Sequence, residues 1–73
     1  MLNRETDLLK EAEELENQSK IAERDKNYEL AISVLMQAKD NYSKLGLNGQ
    51  VSIIIKEIVR LRRLKGDEKG SIQ

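Results

Sequence analysis

Between Glu5 and Asp25, Leu8, Ala12, Leu15, Ser19 and Ala22 recur at spacings of four, three, four and three. That is the period of one helical face, and the five positions fall within an arc of about 80°. Glu, Lys, Asn and Gln occupy most of the remainder. A helix over about 5–25 with a single face to bury is the expectation. The second periodic segment, about 28–45, is different. Tyr28, Leu30, Ala31, Ile32, Val34, Leu35, Met36, Ala38, Tyr42 and Leu45 spread over roughly 240° of its wheel, too wide for a helix with one neighbour. This helix belongs in the middle. In the third, about 49–65, Val51, Ile54, Ile55, Ile58, Val59 and Leu61 cover about 160°, and Ile53 with Leu64 extends the apolar surface on the adjoining side. The run VSIII has β-branched character, but EIVRLRRLK continues the helical period and no second strand is present to pair with it.

Local signals fit these bounds. Asn27 precedes the second helix as an N-cap, with Glu29 near the positive end of its dipole. Gly46 follows its end, where a left-handed residue commonly terminates a helix. Asn48 is a candidate cap for the third helix, which should end at Lys65–Gly66. The segment 67–73 has no pattern and reads as a flexible tail. Three helices joined by short turns predict an all-α, antiparallel three-helix bundle over 1–66.

Small residues at Ala31 and Ala38, with Ser19 and Ala22 on the first helix, permit close approach of two backbones. In this register Tyr28, Ala31, Ile32, Leu35 and Ala38 resemble the second helix of a tetratricopeptide repeat. Leu15, Ser19 and Ala22 fall where that repeat has a large, a small and a medium residue. The stretch is also similar to the MIT (microtubule-interacting and trafficking) domain, a three-helix relative, through Asp25, Tyr28, Ala31 and the ending Arg62-Arg63-Leu64-Lys65. The turn Asp25-Lys26-Asn27 is shorter than an MIT domain usually has, and it lacks the Gly common there in both families. No Pro follows the second helix, which runs on to Leu45. The resemblance implies a groove for a partner helix along the second and third helices.

Composition narrows the chemistry. The chain of 73 residues has no Cys and no His, and its 13 Lys+Arg match its 13 Asp+Glu. Thiolate and imidazole zinc sites and most nucleophile–base pairs lose their usual residues. No carboxylate pair stands in a recognisable pocket-forming context, so neither an enzyme nor a cofactor is expected. Balanced charge and a near absence of aromatics argue against nucleic-acid binding, with Arg60, Arg62 and Arg63 the only basic cluster. No apolar run approaches a bilayer span, and MLNRETDLLK does not read as a signal peptide. A cytoplasmic location without membrane insertion is expected. The second and third helices carry more apolar surface than three helices need. The reading is therefore a protein-interaction module, contacting a partner helix or peptide through Leu30, Val34, Met36, Ile53 and Leu64, with Arg60 and Arg63 beside them. Self-association through the same surface is the alternative.

Overall fold

The computed structural model describes residues 4–70, in three helices: α1 Arg4–Arg24, α2 Tyr28–Lys44 and α3 Asn48–Gly70. They run antiparallel in sequence order, as expected. α2 packs along both neighbours, whereas α1 and α3 touch little. The Cα trace measures 55 × 21 × 12 Å with a radius of gyration of 13.7 Å, longer than the roughly 11 Å of a compact domain this size. The length comes from overhang. Arg60 lies level with Glu23, and Lys65 with Glu29, so the last turn of α3 projects past the α1–α2 turn.

The core follows the predicted stripes on α1 and α2. Ala12, Leu15, Ser19 and Ala22 are buried on α1, and Ala31, Val34, Leu35, Ala38 and Tyr42 on α2. α3 contributes Ile54, Ile58 and Leu61, with Val51 and Leu64 half-buried against the cluster. Tyr42 is buried and Tyr28 half-buried, as expected of core aromatics.

Both turns are built alike. At the end of α1, the Asn27 amide donates to the Ala22 carbonyl (2.8 Å) and the Lys26 amide to that of Glu23 (2.9 Å). At the end of α2, Leu47 donates to Tyr42 (3.0 Å) and Gly46 to Ser43 (3.0 Å). Each is a Schellman closure, which needs a left-handed residue at its centre. Gly46, at φ 74°, supplies it without strain, while Lys26 adopts φ 61° despite its side chain. The Gly that the first turn lacks is therefore replaced by a strained Lys. Lys26→Gly should stabilise the fold by about 1 kcal/mol, and Gly46→Ala should cost a similar amount, because no atom lies within 4 Å of the added Cβ and backbone strain alone acts. Urea denaturation of the two variants measures both; equal and unchanged midpoints would show that neither turn is under this constraint.

Two boundaries differ from expectation. Asn27 caps α2, accepting from the Leu30 amide at 3.3 Å. Asn48, however, is already the first residue of α3, and Leu47 stands at the cap, its carbonyl accepting from the Val51 amide. The Schellman closure at Gly46 ends on Leu47, so the chain enters α3 one residue early. Leu47 borders a shallow depression with Leu9 and Leu45. The end expected at Gly66 is also overrun, since α3 continues to Gly70. Gly66 has open space around it and no left-handed φ, and a single exposed Gly weakens a helix by only about 1 kcal/mol without ending it. Of the expected flexible tail, residues 67–70 are helical and 71–73 lie outside the described residues.

Candidate functional site

α3 is the helix with apolar side chains left over. Its inward line is Ile54, Ile58 and Leu61, at 1%, 7% and 0% exposure. Ile55 and Val59, one and five residues further on, are 47% and 45% exposed, and Ile53 is 54% exposed. The pattern Val51 to Leu61 had placed Ile55 and Val59 inward. They are turned out because α2 covers only the arc centred on Ile54–Ile58, and no second helix reaches the far side. Ile55, Val59 and Leu64 line a shallow depression of about 340 Å³ on the outward side of α3, together with Lys56, Arg60 and Arg63. All six side chains come from one helix, so this is a surface relief and not an enclosed cavity.

The residues expected to bind a partner do not share one face. Val34 is buried at 5% exposure and belongs to the core. It sits one helical period from Ala38 and Asn41, on the flank of α2 that meets α1, and is corrected to a packing residue. Leu30 is exposed but turned to the α1 side, where it borders a depression with Gln18, Ile21 and Asn27. Met36 is exposed on α2. Leu64 is half-buried against the core. Ile53 is exposed on the flank of α3 shared with Arg60 and Leu64. Only Leu64, Arg60 and Arg63 are brought together, joined by Ile55, Lys56 and Val59, which the sequence reading did not select.

Electrostatics separates the cations. Arg60 forms a two-pronged pair with Glu23 of α1 (2.9 and 2.7 Å) and reaches Glu57 at 2.7 Å. The hydrogen bond to Glu23, then that to Glu57, holds the guanidinium firmly protonated and raises its pKa, while the same bond lowers that of Glu23. Arg60 is thus a strut between α3 and α1, which otherwise touch little. Lys65 pairs with Glu29 of α2 at 2.9 Å. Lys56 and Arg63, also exposed, make no ion pair among the described residues.

A second polar group was missed in the sequence. Asn41 is buried at 6% exposure, and its amide donates to the Leu8 carbonyl (3.1 Å) and to Glu11 Oε1 (2.7 Å). Beside it the Tyr42 hydroxyl donates to Glu16 Oε2 at 2.5 Å. Burial, and then this bond, raises the Tyr42 pKa, so the phenol stays a donor. These bonds fix the register of α1 on α2. The signal was available: Asn41 continues the line Val34–Ala38 at helical spacing. Among the described residues no His, Cys, Asp or Glu group is arranged to hold a metal ion, and no helix is long and apolar enough to cross a membrane.

No protein-family model matches the chain, nor does any curated protein or solved structure. The fold and site therefore define its class directly: an all-α protein of three antiparallel helices whose last helix keeps an apolar outward face.

Proposed function

We propose that the chain is a non-catalytic protein-interaction module that docks a partner on α3. The observation that carries this reading is the exposure of Ile55 and Val59 side by side on the outward side of a well-packed helix. Helix formation does not require branched apolar residues there, and polar residues would form it as well. The tetratricopeptide and MIT resemblance of residues 22–42 points the same way, toward helical scaffolds that present surfaces to other chains. The absence of Cys agrees with a reducing, cytoplasmic setting. Self-association through α3 is the rival reading, and RNA binding through Arg62 and Arg63 a distant third, since no aromatic side chain lies among these cations for a base to stack on.

The test is a photoreactive residue introduced at position 59, and separately at position 17 on the exposed side of α1, followed by irradiation in cells of the source organism. Adducts confined to position 59 are expected. Adducts of twice the chain mass at 59 would establish the self-association reading instead. No adduct at 59, or equal labelling at 17, would overturn the docking surface.

A further inference from the structure

The outward face of α3 combines two half-exposed branched residues with cations that no described carboxylate neutralises. Ile55 and Val59 stand one helical turn apart. Lys56 and Arg63 stand two turns apart, about 10.5 Å along the axis, and bracket Val59. The nearest acid on this helix, Glu57, is turned away to Arg60. A partner must therefore bring both apolar side chains and negative charge.

A second copy of the chain fits poorly. Symmetric pairing of α3 on α3 would set Lys56 and Arg63 of each copy beside the other's cations. Head-to-tail pairing would use α1, the acidic helix, with seven Asp or Glu against four Lys or Arg. Its side opposite the buried stripe, however, carries Thr6, Lys10, Glu13, Asn17, Lys20 and Arg24, all exposed. That face is polar throughout, mixed in sign, and has no apolar side chain to cover Ile55 and Val59. The fold thus has one finished polar side and one open side, as at the two ends of a helical stack. An extended strand is also a poor occupant, because the amides and carbonyls of α3 are already satisfied within the helix. The relief of a single helix is matched by another helix, ridge into groove.

We infer that the outward face of α3 receives an acidic amphipathic helix from a different protein, with apolar residues on Ile55 and Val59 and carboxylates about seven residues apart on Lys56 and Arg63. This rests on the reading of α3 as a docking surface. The contact is smaller than a standard interface, so binding is weak and salt-sensitive.

The probe is a capped, alanine-rich, fluorescein-labelled peptide with Glu at i and i+7 and Leu at i+3 and i+4, titrated with the full chain and followed by anisotropy. A matched peptide has Lys in place of both Glu. The acidic peptide should bind with a Kd below about 1 mM, more weakly as ionic strength rises from about 0.1 to 1 M, and the lysine peptide at least about tenfold more weakly. Lys56→Glu with Arg63→Glu should reverse that preference while far-UV circular dichroism is unchanged. Should the double reversal disturb the helices, Lys56→Gln with Arg63→Gln should abolish the preference instead. Equal binding of both peptides, lost in Val59→Lys, would overturn the acidic partner and leave the docking surface standing. Binding of neither peptide overturns the inference, and together with absent crosslinks at position 59 it removes the docking surface too.

Discussion

Leu61→Ala should lower the unfolding free energy by about 2–5 kcal/mol. Leu61 is fully buried at 0% exposure and, with Ile54, is the largest side chain so enclosed. α3 is held almost entirely by its contact with α2, through the short line Ile54, Ile58 and Leu61. Removing one of three leaves a void that the other two cannot close without moving the helix. At about 0.05–0.15 kcal/mol per residue, a chain this size has a total stability of about 4–11 kcal/mol. The substitution therefore removes a large share of it. Urea denaturation followed at 222 nm measures the loss, with Ile53→Ala as the control. Ile53 is half-exposed, and Ala is the better helix former, so its loss should stay below about 1 kcal/mol. Similar losses for the two variants would mean that α3 is not docked along this line.

Ala38→Leu should cost about 1–3 kcal/mol by overpacking. Ala38 is at 0% exposure, and so is Ala31, seven residues earlier on the same line. One turn beyond Ala38, the Asn41 amide reaches the Leu8 carbonyl and Glu11 of α1. Ala38 therefore faces α1, which presents its own small residues Ala12, Ser19 and Ala22. Small side chains on both sides bring the backbones close, and a Leu has to push them apart. The same shift would strain the Asn41 and Tyr42 bonds to α1. Helix propensity does not account for the cost, since Ala and Leu both rank high. A neutral result by the same denaturation measurement would show a gap at this contact, and the small-residue account of the hairpin would fail.

Much of this architecture is legible along the chain. The stripe Ala12–Leu15–Ser19–Ala22 reads directly because α1 has one neighbour and the rest of its surface is polar. The central position of α2 follows from the width of its apolar arc. The Asn27 cap and the left-handed Gly46 follow from local chemistry that acts within a few residues. The site was harder. Ile55 and Val59 belong to the same apolar arc as Ile54 and Ile58, and a wheel cannot tell the covered part from the open part. Val34 was placed outward and Ile55 inward for the same reason, in opposite senses. Asn41 was passed over because a polar residue in an apolar line looks like an interruption until its two acceptors on α1 are seen.

What the sequence determined by itself is whatever depends on neighbours in the chain: three helices, their approximate bounds, their order and the face α1 buries. These rest on the 3.6-residue period and on capping, which are short-range. Only the tertiary structure decided which side of α3 remains uncovered, that Arg60 is spent on Glu23 while Lys56 and Arg63 are not, and that α1 ends the fold on a polar side. Those outcomes depend on where α2 lies across α3 and how far apart α1 and α3 stand. A periodic pattern fixes the direction of each side chain around its own axis, but coverage is set by the partner helix, and the partner's position is a property of the whole fold.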